Sequence, residues 1–273
     1  MATFFGEILP VTSRAVDDDD EDEDDVPVAS SSFVHWSSKT REEMEKTATK
    51  KLPCDTLIIA VGPAATGFTQ TFIMQDRYEI LGGVFSGLKD RDIVTLGQQS
   101  ATDKTCFLYR SLDSPGVVVC QCKTDVTQEQ CFSWVEEVLG GFELSSCYVA
   151  VLCSLMTSEY KSDIPISELT TPFLRGLKTA HYPASPACAI LEQPSMLTGL
   201  PAQVMSYCQV HGVKAIVYIS YTDSIFLDLP TMKMFKPLLK ATPLKDVVKS
   251  NPQGDKMLLK IVDQHTSQNT LYL

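Results

Sequence analysis

Three runs of almost unbroken apolar residues decide most about how this chain folds: Asp55 to Val61 (DTLIIAV), Cys147 to Cys153 (CYVAVLC) and Val213 to Tyr221 (VKAIVYISY). None shows the apolar-polar alternation of a strand with one wet face. Each reads as a strand buried on both faces, the pattern of a covered parallel sheet. The first run stops at Gly62-Pro63, a turn signal.

Helical patterns lie between these strands. Ala64 to Gln75 places Phe68, Phe72 and Ile73 near one face. Val126 to Leu139 gathers Cys131, Trp134, Val135 and Val138 on one side, with Glu129, Glu136 and Glu137 elsewhere, and Gly140-Gly141 stops it. Pro201 to Val210 has proline in its first turn and glycine at 212 beyond its end. Thr105 to Ser111 and Gly116 to Cys122 flank the turn Asp113-Ser114-Pro115 and read as a hairpin or as adjacent strands. Pro172 to Lys178 reads as a short helical turn, and 232–239 and 255–262 as terminal helices. Strands alternating with helices predict one α/β domain with a mostly parallel central sheet, spanning 52–262. Residues 1–51 are expected to be a disordered acidic arm and 263–273 a flexible docking tail.

The net charge of -11 comes almost wholly from Asp17 to Asp25, nine acidic residues in succession. Taking those nine from 34 acidic residues leaves 25 against 23 basic, so the remainder is near neutral. A nearly neutral body with no Lys/Arg stripe argues against nucleic-acid binding. The nine cysteines are odd in number and scattered through apolar runs. They fit reduced, buried thiols and a cytoplasmic protein with nuclear access open. The start, MATFFGEILP, lacks the basic region of a signal peptide, and no run approaches the roughly 18 apolar residues of a membrane span.

Candidate chemistry is thin. Gly62 to Gly67 has the GxxxxG spacing of a phosphate loop, but Phe68-Thr69 stands where Lys and Ser/Thr are needed, and Pro63 removes a backbone donor. A plain strand-to-helix turn is the better account. Cys120-Gln-Cys122 puts two thiols on one face of a strand, without the spacing of a zinc or redox site. Cys208 lies mid-helix and would serve a thiol enzyme only by pairing with a distant histidine, and no GxSxG elbow occurs. Asp223 and Asp228 bracket Ser224-Ile-Phe-Leu after the third apolar run, where α/β ligand sites sit, although loop capping suits them better. Histidines 35, 181, 211 and 265 are far apart, with 35 and 265 in the expected disordered ends. No catalytic residue, cofactor or metal is expected. A hydrolase or phosphorylase on an α/β fold stays the enzymatic alternative; an acidic histone-like chaperone rests on 17–25 alone.

The chain ends Leu271-Tyr272-Leu273, a hydrophobic-Tyr-any-residue terminus that joins an apolar side chain, an amphipathic ring and a carboxylate. All three can be taken by a groove on another protein.

Several strings stand together in order: MATFFGE at the start, PFLRGLKT at 172–179, LEQP at 191–194, LPAQVMSYCQV at 200–210, AIVYISYTD at 215–223 and Phe235-Lys236-Pro237. With them the chain resembles the vertebrate proteasome assembly chaperones from end to end. The resemblance implies an ATP-independent assembly factor with a nucleoside-phosphorylase-like fold and no retained active site. It implies a heterodimer with proteasome assembly chaperone 2, which helps α-subunits form the α-ring of the 20S proteasome and prevents off-pathway dimerisation. It makes Leu271, Tyr272 and Leu273 the proteasome-docking residues, seated between α-subunits. Association with the endoplasmic reticulum is implied by the resemblance only.

Overall fold

The computed structural model describes residues 31–75, 77–86, 106–123, 125–162, 165, 168–247 and 251–270, with side chains to Thr266. The chain begins there with β1 (Phe33–Trp36), α1 (Ser38–Lys46), β2 (Leu52–Pro53) and β3 (Thr56–Val61). Then come α2 (Pro63–Phe72), β4 (Tyr78–Phe85), β5 (Cys106–Ser111), β6 (Val117–Cys122), α3 (Gln128–Gly140) and β7 (Phe142–Glu143). The last part holds β8 (Tyr148–Met156), β9 (Phe173–Lys178), α4 (Gly199–Val210), β10 (Lys214–Thr222), α5 (Leu229–Lys233) and α6 (Gly254–Thr270).

Eight strands form one sheet in the order β1-β4-β5-β6-β3-β8-β10-β9. The three apolar runs become its centre. β8 pairs in parallel with both β3 and β10, with Ile59 opposite Val151 and Val151 opposite Val217. β6 joins β3 in parallel as well. Antiparallel strands extend this centre on each side, β5, β4 and β1 beyond β6 and β9 beyond β10.

Each central strand is apolar throughout because its two faces feed two cores. Leu57, Ile59, Val149, Val151, Val217 and Ile219 meet Trp134, Val135 and Val138 of α3 and Val204 and Cys208 of α4. The intervening Ile58, Ala60, Ala150, Leu152, Ile216 and Tyr218 meet Phe68 and Phe72 of α2, Met232 of α5 and Leu258 of α6. Successive strand side chains point to opposite faces, so continuous apolar sequence is what a sheet between two helical layers requires. Each large side chain enclosed here contributes about 1.5–3 kcal/mol.

Several expectations are corrected. Residues 33–51 do not belong to an acidic arm, since β1 and α1 lie within them. β1 pairs with β4, the ring of Phe33 stacks on Phe85 at 5.3 Å, and Trp36 meets Phe142 edge-on at 5.8 Å. The partners are some fifty and a hundred residues away, out of reach of local composition. Ser37 opens α1 by accepting from the Thr40 backbone N–H at 3.2 Å. The helical turn expected at 172–178 is β9, an edge strand whose Leu174 and Gly176 are buried in alternation. Pairing with β10, from Phe173 opposite Tyr221 to Lys178 opposite Ile216, makes it a strand. A loop lies outside β9: Gly176 donates to the Ala189 carbonyl at 2.9 Å and accepts from the Leu191 N–H at 2.8 Å. Residues 263–270, expected as flexible tail, continue α6. Leu258 anchors that helix in the core, and extending a formed helix is cheap even through a polar sequence. The acidic run 17–25 lies outside the described residues.

Candidate functional site

The three residues expected to dock, Leu271, Tyr272 and Leu273, also lie outside the described residues. Their mount is described. α6 packs on α2 and α5, with Gly254 against the Phe72 ring and Ile261 beside Gly67. Phe72 ends α2 and Gly67 lies at its middle, so α6 runs antiparallel to α2. It carries the chain toward the end of the sheet where β3, β8 and β10 terminate.

At that end lies a cavity of about 120 Å³ lined by residues that follow or close those strands. Pro63 and Ala64 come from the start of α2, Ser154 from β8, Thr222 from the last position of β10, and His265 from α6. Ser224 through Asp228 form the rest of the wall with Thr231. This is where open α/β sheets place ligands.

The polar groups of the wall are turned on one another. Asp228 Oδ1 accepts from the Thr231 N–H at 2.8 Å and so caps α5. Thr231 Oγ1 donates to Thr222 Oγ1 at 2.9 Å, and Thr222 Oγ1 accepts from the Ser224 N–H at 3.2 Å. Ser224 Oγ donates to the Phe226 carbonyl at 2.8 Å and accepts from the Phe226 N–H at 3.2 Å. Asp223 accepts from the Thr171 hydroxyl, which holds its carboxyl below the usual aspartate range. Both aspartates bracketing this segment therefore hold the loop in place. Of its three apolar residues, Leu227 packs against the core while Ile225 and Phe226 point outward, 78% and 69% exposed.

The other candidates separate. Gly62 has φ 83, a left-handed conformation that favours glycine, and starts α2 without a side-chain cap. Gly67 is small for a different reason: a Cβ there would sit 2.9 Å from Met232 Sδ and 3.4 Å from Ile261. The GxxxxG spacing is thus explained by a turn and a helix contact. Cys120 and Cys122 are buried with sulfurs 3.7 Å apart, and burial pushes both thiols well up. Cys208 is buried and pushed up to about 12 by desolvation. His211 is spent on α4, its Nδ1 2.9 Å from the Tyr207 carbonyl oxygen and its ring stacked on Tyr207. His35 lies on β1 and His265 on α6, not in disordered ends. Among the described residues no group of three or more His, Cys, Asp and Glu could hold a metal, and no helix is long and apolar enough to cross a membrane.

Sequence reasoning found the Asp223–Asp228 loop but did not place it beside α6, whose His265 lines the same cavity. It also read Ile225 and Phe226 only as residues between two aspartates. The available signal was an apolar pair inside a Ser/Asp turn, a place where apolar side chains lack a core to enter.

Comparison with known proteins adds what the geometry lacks. A family model described as proteasome assembly chaperone 4 matches residues 1–273. The protein named proteasome assembly chaperone 1 from Xenopus laevis is 37% identical over 288 residues, covering 100% of both chains. The human protein of that name is 33% identical over 285 residues, covering 99% of each. Among solved structures, a Thermoplasma acidophilum protein of unknown function has a TM-score of 0.59 at 10% identity, covering 86% of this chain and 94% of its own. PbaA of Pyrococcus furiosus, described as an archaeal homologue of proteasome-assembly chaperone, has 0.53 at 10% identity, covering 82% and 97%. These two share the fold.

Proposed function

This chain belongs to the proteasome assembly chaperone 1 family, and from that premise we propose that it is a non-enzymatic chaperone of 20S proteasome assembly. It acts as a heterodimer with proteasome assembly chaperone 2, promotes assembly of the α-ring and keeps unfinished rings from dimerising off pathway. It docks through Leu271, Tyr272 and Leu273 into pockets between α-subunits, needs no nucleotide, metal or other cofactor, and works in the cytoplasm with access to the nucleus. The observation that carries this is the end-to-end correspondence with relatives of one name. The internal hydrogen bonding of the strand-end cavity agrees, because its polar groups stiffen a loop and do not converge on an open point.

The test is reconstitution. The full chain, mixed with proteasome assembly chaperone 2 and purified α-subunits, is expected to elute as a one-to-one heterodimer and to raise the yield of single seven-membered rings without ATP. Failure to associate with α-subunits or assembled 20S particles would refute the assignment.

A further inference from the structure

The apolar pair Ile225-Phe226 and the helix that carries the tail share one end of the domain. His265 of α6 and Phe226 line the same cavity. From His265 the helix runs five residues more, to Thr270, a rise of about 7.5 Å. Only three residues follow, with an extended reach of about 11 Å. Whatever holds the last three residues must therefore come within about 20 Å of the cavity wall. An ordinary protein contact covers about 800 Å² on each partner, a disc roughly 30 Å across. A partner of that size, gripping the tail, has the breadth to reach Ile225 and Phe226 when the tail folds back toward the domain.

We infer that Ile225 and Phe226 are a second contact for the partner that takes the tail, seated in an apolar depression beside the tail pocket. This rests on the proposed function, which makes that partner the α-ring. The loop suits the task. Exposed apolar side chains gain from being covered, and aromatic residues are enriched at interface centres. The loop is also already ordered: Ser224 bonds both backbone groups of Phe226, Asp228 caps α5, and Asp223 holds Thr171. Little freedom remains to be lost on binding.

The test measures binding of full-length chains to intact 20S particles, with and without proteasome assembly chaperone 2. The variant Ile225→Ser/Phe226→Ser is expected to bind about tenfold or more weakly than wild type, the scale of one enclosed apolar side chain. Its thermal midpoint and circular dichroism should stay unchanged, as both residues are exposed. Val210→Ser is the control. Val210 is 81% exposed but ends α4 just before β10 begins, at the opposite end of the parallel strands; its affinity should match wild type. Should the double variant fold poorly, Phe226→Asp alone gives the same comparison. Binding that needs the tail yet is unaffected by these substitutions would overturn this inference and leave the proposed function standing. So would a self-associated wild type that the substitutions turn monomeric without changing ring affinity, since a second copy would then own the face. A wild-type chain that ignores the ring would refute the proposed function, and this inference with it.

Discussion

The guanidinium of Arg110 on β5 is gripped by both carboxylate oxygens of Glu43 on α1, at 2.7 and 2.8 Å. Arg110 is 8% exposed and also meets Glu79 of β4 at 2.6 Å, while Lys39 of α1 meets Glu79 at 2.5 Å. Two ionic contacts thus fasten α1 to the outer part of the sheet, within residues 33–51 that had been expected to belong to a disordered arm.

Removing Glu43 should loosen that fastening. Glu43→Ala is expected to cost about 1–2 kcal/mol, read as a lower urea midpoint; a fully buried pair would cost more, but Glu79 remains and Glu43 is partly solvated. The acid response has a definite sign. The bond to Arg110 pulls the Glu43 carboxyl below its ordinary value of 4.5, and bonds to Lys39 and then Arg110 do the same for Glu79. Groups depressed by folding stabilise fully above that value, and the contribution is lost as pH falls through their lowered values. Wild type should therefore lose urea resistance below about pH 4.5, and Glu43→Gln should lose less over the same interval. Equal losses would show that the pair does not report on acid stability.

Gly254 starts α6 where a Cβ would lie 2.5 and 2.6 Å from two atoms of the buried Phe72 ring. The ring is also packed on Phe68 at 5.1 Å, so it has little room to yield. Gly254→Ala is expected to destabilise by about 1–3 kcal/mol despite alanine's better helix propensity. Hydrogen exchange should localise the loss to 254–262; unchanged protection there would contradict the packing account.

Eight of the nine thiols are buried, and Cys188 alone is partly exposed. Burial raises Cys188 to about 11, which slows even this one. Titration of the native chain with a disulfide reagent at pH 8 should find at most one reactive thiol, abolished by Cys188→Ser. The unfolded chain should show all nine. Rapid native labelling of Cys54 or Cys147, whose sulfurs are 3.7 Å apart inside the core, would be inconsistent with this burial.

Extending the chain by one glycine after Leu273 keeps every side chain and moves the terminal carboxylate by up to ~3.6 Å. If the carboxylate and the Tyr272 ring occupy neighbouring pockets, both cannot then be seated. Ring affinity should fall at least tenfold, as expected for loss of a charge-assisted hydrogen bond. Affinity equal to wild type would rule out carboxylate capture.

The centre of the fold was legible because its signal is local. A strand covered on both faces must be apolar at every position, and β3, β8 and β10 are. Of the outer strands, β5 was legible with β6 as a hairpin around Asp113-Ser114-Pro115, whereas β1, β4 and β9 were not, because each is made by distant partners. β4 carries two glycines and Glu79 in eight residues and gains its place from β1 and β5. β1 sits between a serine run and a charged helix and is fixed by Phe85 and Phe142. Asp228 was readable as a cap from its place before Pro230 and Thr231, and it is one. Nothing local showed that the loop it closes stands beside α6, since that depends on two helices running antiparallel.

The loop that hydrogen-bonds Gly176 on the outer side of β9 has a consequence for assembly. A sheet that ends in open backbone groups can be lengthened by another strand, and by another after that, with no term that stops the growth. Here a segment of the same chain already occupies part of that border, and cross-β stacking is blocked where Gly176 would have started it. Association through this side must then rely on side-chain shape, which saturates once a matching surface is filled. At this border the domain can meet another protein without offering Gly176 as a template for a growing sheet.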